Sequence, residues 1–353
     1  MKKVDYIIVG LGLAGACLAH QLIRLKRRIV VYDLPERNRA STIAAGLYNP
    51  VTGRGIVKTW LADELFPYLK KFYREVEQDC DEKLLYETPL YTPFLSVEEQ
   101  NEWMAKSEDS SFADYIIAVY TSSRFDQVND PLGGLLLSNC GYVDVPKFLN
   151  YTRDLLISSN SYKQEEFLDQ KVTFHNESIM YKDVQADHIV FCRGIHQLES
   201  PLFEGIPLKP LKGEVLNLKV TESLKCIYNR GIYVIETEPQ HCKVGATYDL
   251  QGLSHDITMK AQTELESKTK SLLKLPFRIT HQDWGIRPST TDRRPLIGVH
   301  PDRKNVWIFN GLGTKGVSLA PFFSHQLAKR MEGMGDLDKE ANITRVKPLY
   351  SKF

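Results

Sequence analysis

Two glycine clusters and one arginine are the residues of this chain whose types and spacing point to chemistry. Gly10, Gly12 and Gly15 stand at G-x-G-x-x-G spacing directly behind the apolar run Tyr6-Ile7-Ile8-Val9. In that setting the first glycine permits a tight turn, the second lets backbone approach a pyrophosphate, and the third lets helix and strand pack closely. The helix that follows would offer free N–H groups and its positive end to phosphates, a contribution of about 0.3–1 kcal/mol per charge. Asp33, 18 residues after Gly15, lies where an acid accepts the hydroxyls of an adenosine ribose. Its negative charge favours a ribose without a phosphate. Strand, glycine turn, helix, strand and acid together point to a dinucleotide, and leave NAD and FAD both open.

The second cluster, "GLGTKG", comprises Gly311, Leu312, Gly313, Thr314, Lys315 and Gly316, between the apolar run 306–309 and a helical pattern through Leu319, Phe323 and Leu327. On its residues alone it is either a close packing turn or a nest of backbone N–H groups that stabilises developing negative charge. Upstream, "WGIRPSTTDRRPLIG" (284–298) holds Arg287, followed by Pro288 and bracketed by Trp284 and Ile286. That arginine either sits in a solvated loop or grips a carboxylate with two parallel hydrogen bonds.

These residues need a scaffold, and its pattern is legible. Tyr6–Val9 reads as a buried parallel strand, Ala16–Leu25 as a helix, and Ile29–Tyr32 as a second strand. A short strand ends at Gly194, and strand, glycine turn and helix recur over 305–321. Because these late signals match the N-terminal unit, the first domain is expected to be discontinuous: 1–60, 141–196 and 284–353. The insertions, 61–140 and 197–283, contain a helix at Leu61–Cys80, short β-like runs such as "GEVLNLKV", "GIYVIETE" and "CKVGATY", and a helix over 256–274. The expected fold class is α/β: a Rossmann-like cofactor domain, a parallel sheet with helices, plus an α+β substrate domain with a mainly antiparallel sheet. An active site between the two domains is the expectation.

Composition narrows the function classes. A chain of 353 residues suits two domains, and a net charge of +1 gives no whole-protein field for nucleic acid or anionic membrane. The six cysteines show no C-x-x-C and no Cys/His pair at metal-ligand spacing, which argues against a disulfide framework, a zinc site and a dithiol reductase. No run of eighteen apolar residues occurs. The N-terminal stretch "VDYIIVGLGLAGACLA" imitates an export signal, but Asp5 and the glycines oppose that reading, so it is expected to be the first strand and turn of a cytoplasmic protein.

Taken in order, "VGLGLAG…VVYD", "ASTIAAGLYNP", "GYVDVPKFL", "ADHIVFCRG", "PLKGEVLNL", "VGATYD", "WGIRPSTTDRRPLIG" and "NGLGTKGVSLAP" cover most of the chain. Their order resembles the D-amino-acid-oxidase-like superfamily of FAD-dependent oxidoreductases, and within it the glycine oxidase, sarcosine oxidase and tRNA-uridine-modifying branches. The resemblance implies that Gly10, Gly12 and Gly15 hold the FAD pyrophosphate and that Asp33 holds the adenosine ribose. It implies that Ser41, Thr42, Ala45 and Gly46 run beside the phosphates and the isoalloxazine, and that Gly194 ends a strand near the cofactor. It gives Gly311 to Gly316 the role of N–H donors to the flavin pyrimidine edge. Arg287 matches the family's G-x-R-P arginine, which binds the substrate carboxylate in amino-acid-oxidising members, and Tyr233 is similar to a substrate-side tyrosine of the glycine oxidase branch.

Two departures matter. Thr314 and Lys315 stand where the glycine oxidase branch has an arginine, which counts against a free glycine-like substrate. No cysteine of "RPSTTDRRP" matches the one that bonds flavin in sarcosine oxidase, so the FAD is expected to be non-covalent. The expected reaction is oxidation of a C–N bond in an amine or amino acid, with hydride transfer to flavin N5 and reoxidation by dioxygen or an electron carrier. Its rivals are a tRNA carboxymethylaminomethyl-uridine oxidoreductase, an NAD-dependent dehydrogenase, and an FAD-binding subunit without catalysis.

Overall fold

The structure, a computed structural model, describes residues 1–35, 40–52, 57–175, 178–250 and 253–346. The chain forms two compact units, one of Met1–Thr42, Val145–Leu211 and Ile286–Phe353, the other of Ile43–Asp144 and Lys212–Gly285.

The first unit is built on strand Lys2–Val9, which pairs in parallel with Ile29–Asp33 on one side and Val184–Phe191 on the other. Ile7, Ile8, Val30, Val31, Ile189 and Val190 are wholly buried, which is why the strands read as continuous apolar runs rather than alternating ones. Strand Arg303–Asn310 adds in parallel beside Val184–Phe191, and Leu296–His300 folds back on it. Helices Leu13–Arg24 and Gly316–Met331 each follow a glycine turn, and they pack on one another. The first buries every residue from Leu13 to Leu22, so the stretch that imitates an export signal is interior strand and helix, with Cys17 in the core.

The second unit carries an eight-stranded sheet in the order Phe277–Thr290, Leu208–Val220, His241–Gly245, Tyr233–Glu238, Ile227–Asn229, Leu90–Pro93, Gly134–Leu137 and Ile116–Tyr120. From Leu208–Val220 onward in that order the pairings are antiparallel apart from Ile227–Asn229 with Leu90–Pro93. Helix Met259–Leu272, capped by Thr258 through its Oγ1 to the Ala261 N–H, buries Leu265 and Leu272 against Leu216, Val234 and Val244. Helix Ala62–Cys80 buries Leu65, Leu69, Phe72 and Val76, the face its spacing predicts.

The division falls elsewhere than the sequence suggests. Residues 43–60 and 141–144 lie in the second unit because Leu47–Tyr48 pairs with Gly141–Val143, which pairs with Leu85–Glu87. Residues 197–211 lie in the first, where Phe203, Ile206 and Leu208 join its core. Trp284–Thr290 is strand, not loop; Pro288 is tolerated because this strand ends the sheet, where a missing N–H breaks no ladder.

The "PLKGEVL" segment places a charged pair inside the second unit. Lys212, 1% exposed, lies 3.2 Å from Glu214 Oε1 and donates to Ser254 Oγ at 3.0 Å. Glu214 accepts from the Thr258 N–H (2.8 Å), Thr258 Oγ1 (2.9 Å) and Gln282 Nε2 (2.7 Å). Removing one partner strands a buried charge, whereas neutral groups of similar volume in both places do not. Glu214→Ala is expected to cost about 3–5 kcal/mol in urea denaturation and the double variant Lys212→Met/Glu214→Gln much less; equal losses would contradict this.

Candidate functional site

The first glycine turn is shaped by close approach. At Gly10, with φ +97°, a Cβ would fall 2.6 Å from the Cys192 carbonyl oxygen, and at Gly15 it would fall 1.9 Å from the Gly10 carbonyl oxygen. Those two positions exclude any side chain. Gly12 differs, since a Cβ there would meet the Ser41 Oγ alone, at 3.1 Å. Gly12 caps the helix without a side-chain hydrogen bond, and the first turn holds no acid, so the positive helix end is left for an external anion. The Leu13 N–H donates to Ser41 Oγ at 3.2 Å.

Asp33 ends the second strand with its carboxylate buried and oriented. Its Oδ1 accepts the Leu11 N–H at 2.8 Å and its Oδ2 the Tyr162 hydroxyl at 3.4 Å. The loop beyond leaves the first unit after Thr42; Ala45 is buried, and Gly46, at φ +70°, comes so close to the Val143 carbonyl that a Cβ would lie 1.9 Å from it.

The second glycine turn is bound to the arginine strand. Arg287 is half-buried, and the carbonyl of Pro288 beside it accepts the Gly313 N–H at 3.0 Å. Gly311 (φ +72°) lies against Thr290, where a Cβ would be 2.9 Å from Cγ2, and Gly313 (φ +53°) lies against Ser289. Asn310 joins Gly194 to this group, its Nδ2 donating to the Gly194 carbonyl at 2.8 Å while its Oδ1 accepts the Gly311 N–H at 2.8 Å. The nearest atom to a Cβ on Gly194 is Pro288 Cγ, 4.0 Å away. Gly194, the Arg287–Ser289 backbone and Gly311–Gly313 are therefore one cluster.

Helix Gly316–Met331 starts from this turn with no side-chain cap and no acid in its first turn. A Cβ on Gly316 would lie 3.0 Å from Leu13 Cδ1, so the N-termini of the two long helices meet. Burial, with Arg293 and Arg294 nearby, brings the Lys315 ammonium down to about 8. Two helix ends and these cations gather positive potential in one place, the chemistry that receives a pyrophosphate. Gln197, on the short helix that begins at Gly194, is fully buried with neither amide atom hydrogen-bonded, as expected where a polar group is supplied from outside. These features fit a bound dinucleotide. Burial also pushes the Cys140, Cys192, Cys226 and Cys242 thiols up, which keeps them protonated and unreactive.

In the second unit, Tyr233 faces Gly245 across neighbouring strands, its ring lying where a Cβ on Gly245 would come 2.5 Å from the hydroxyl. Lys243, two residues along the same strand, donates from Nζ to the Ile43 carbonyl at 3.3 Å. Sequence reasoning missed Asn310 and Lys243. The Asn-Gly step ending a strand is a local signal for the first; the second has none, since its setting depends on residues 200 positions away.

A family model described as FAD dependent oxidoreductase matches residues 5–330. The glycine oxidase of Pseudomonas putida is 23% identical over 346 residues, which cover 89% of this chain and 91% of that protein. The solved glycine oxidase of Geobacillus kaustophilus aligns with a TM-score of 0.81 at 18% identity, over 98% of this chain and 99% of that one. Iminodiacetate oxidase from Chelativorans sp. BNC1 aligns at 0.79 and 20% identity, over 95% and 97%. At these identities the solved structures show the fold, a mixed α/β architecture with parallel and antiparallel sheets.

The lowered Lys315 value has a consequence for stability. The unfolded chain holds this proton more tightly than the folded one, so the charged lysine costs stability below about pH 8, and the cost is relieved between there and 10.5. Lys315→Met is expected to stabilise the FAD-free protein at pH 7 by on the order of 2 kcal/mol, a gain that shrinks toward pH 10. Denaturation curves at both pH values check this, and a gain that does not vary with pH contradicts it.

Proposed function

The chain belongs to the FAD dependent oxidoreductase family, and from that premise we propose that it oxidises the C–N bond of a carboxylate-bearing amine or amino acid. Family membership also decides between the two dinucleotides that the N-terminal fingerprint left open: the cofactor is FAD.

The observation that carries the substrate reading is the backbone tie between the strand that bears Arg287 and the second glycine turn, in which the Pro288 carbonyl accepts the Gly313 N–H at 3.0 Å. A half-buried arginine on a strand bonded to this turn suits a carboxylate, because a guanidinium's two parallel N–H bonds fix the acid's plane as well as its position. The names of the relatives agree, since glycine and iminodiacetate both carry a carboxylate next to an amine nitrogen.

In this reading Gly10, Gly12 and Gly15 admit the non-covalently bound FAD pyrophosphate to the helix end at Leu13, and Asp33 takes the ribose hydroxyls. Ser41, Thr42, Ala45 and Gly46 line its course, and Gly194 closes the cluster near the ring. Three N–H groups of the second turn, those of Gly311, Gly313 and Lys315, are already committed to Asn310 Oδ1 and to the Pro288 and Leu312 carbonyls. The donor role toward the pyrimidine edge therefore falls to Leu312, Thr314 and Gly316. Bound FAD supplies the acceptor for the hydride that leaves the carbon beside nitrogen. The protein's part is orientation and electrostatics: Arg287 anchors the acid, Tyr233 serves the substrate side, and the turn and helix end balance arriving charge.

Anaerobic mixing with N-substituted glycines, D-amino acids and carboxymethylaminomethyl nucleosides is expected to bleach the flavin band with at least one carboxylated amine. Arg287→Lys keeps the charge but loses the fork, and is expected to lower kcat/KM about 10- to 100-fold, mostly through KM. A flavin that no carboxylated amine bleaches, or an Arg287→Lys enzyme with an unchanged KM, would contradict the assignment.

A further inference from the structure

The site residues of the first unit stand at the carboxyl ends of its parallel strands, the edge at which open α/β sheets bind ligands. Lys2–Val9 runs into Gly10, Ile29–Asp33 ends at Asp33, Val184–Phe191 leads to Gly194, and Arg303–Asn310 ends at Asn310. The two glycine turns lie 300 positions apart in sequence, yet a line of close contacts joins them. A Cβ on Gly10 would fall 2.6 Å from the Cys192 carbonyl oxygen and 3.3 Å from the Arg193 Cα. The next residue, Gly194, accepts from Asn310 Nδ2 at 2.8 Å through its carbonyl, and Asn310 Oδ1 accepts the Gly311 N–H at 2.8 Å. On the far side of the turn, the Gly313 N–H donates to the Pro288 carbonyl at 3.0 Å. Every residue in this line belongs to the first unit. The link at its centre is a side chain, the amide of Asn310, which is 2% exposed.

We propose that Asn310 is a positioning residue for FAD, a strut that holds the second glycine turn in a fixed relation to the first. The inference rests on the reading above in which both turns hold the cofactor. Gly311 and Gly313 have positive φ, +72° and +53°, and glycine populates either sign of φ about equally, so the turn's own backbone does not hold this shape. The Asn310 Oδ1 and the Pro288 carbonyl hold it instead, by occupying the Gly311 and Gly313 N–H groups before any ligand arrives. A turn ordered in advance spares binding the cost of ordering it, and that saving appears as affinity. An amide suits the place because one end donates to the Gly194 carbonyl while the other accepts the Gly311 N–H. Leucine has the size with neither function, and an ionised carboxylate accepts but cannot donate. These hydrogen bonds of Asn310 both go to backbone, so it acts through the turn.

The test is FAD binding to the full-length, FAD-free chain, read from the fluorescence of added flavin, a readout that needs no turnover. Asn310→Leu and Asn310→Asp are each expected to raise the FAD Kd about 10- to 100-fold at about pH 8, relative to the wild type at the same pH. At about pH 5 Asn310→Asp is expected to recover to within about threefold of the wild type, because burial raises a carboxyl toward this range and the protonated group donates its O–H to the Gly194 carbonyl. Asn310→Leu does not recover. A residue that only stabilised the fold would lower the FAD-free Tm without giving Asn310→Asp a pH-dependent Kd, and if Asn310→Leu does not fold, the Asn310→Asp profile decides alone. A wild-type Kd in the Asn310 variants, or an Asn310→Asp Kd that ignores pH, overturns the strut. Gly12→Asp separates the two readings: if it alone loses FAD, the strut falls and the cofactor placement stands, and if it too binds FAD like the wild type, the placement falls and the strut with it.

Discussion

Gly316, the first residue of one long helix, sits against Leu13, the first residue of another, closely enough that a Cβ on it would come within 3.0 Å of Leu13 Cδ1. Each helix end carries roughly half a positive charge, and like ends brought together repel. Lys315 and Arg293 add to that potential rather than relieve it, while Arg294 is paired with Glu340 at 2.9 Å. No acid stands in the first turn of either helix. In the proposed function a pyrophosphate would supply the missing negative charge, and the two glycine turns would let it approach. Gly10 and Gly15 bring strand and helix together, and Gly12 keeps the helix end open.

The second unit solves a different problem. Its sheet has an apolar face covered by helix Met259–Leu272 and a polar face that carries Tyr233, Lys243, Asn217 and Asp283. Holding a half-buried lysine under a single long hydrogen bond opposes stability. Burial pulls the Lys243 ammonium below its ordinary range, and Asp283 and Asp144 pull it back up. The Lys212–Glu214 pair is the contrasting case, a buried charge with its partners all supplied by its own unit.

Much of the N-terminal strand, glycine turn, helix and second strand was legible because its determinants are local. Gly10, Gly12 and Gly15 must fall within six residues, behind a strand and before a helix, and Asp33 must end the next strand. Arg287 was legible as a residue but not in its setting: three arginines in ten residues left a solvated loop open, and the pairing that makes Phe277–Thr290 an edge strand is not written in the local pattern. The boundaries of the two units were hidden for the same reason, since a two-residue strand at Leu47–Tyr48 is recruited by pairing with Gly141–Val143, nearly a hundred positions on. Asn310 and Lys243 were missed because their meaning lies in the carbonyls of Gly194 and Ile43, which no periodicity announces.

The central claim is that the paired helix ends form a pyrophosphate site opened by Gly12. Thermal unfolding with and without added FAD tests it in Gly12→Asp, where backbone conformation is ordinary and the nearest protein atom is a movable Ser41 hydroxyl. At FAD about 100-fold above its Kd the wild type should gain about 2.7 kcal/mol, seen as a raised Tm. Gly12→Asp should fold with a similar FAD-free Tm and gain nothing. A variant that purifies with its flavin and shows the wild-type Tm shift would contradict the account.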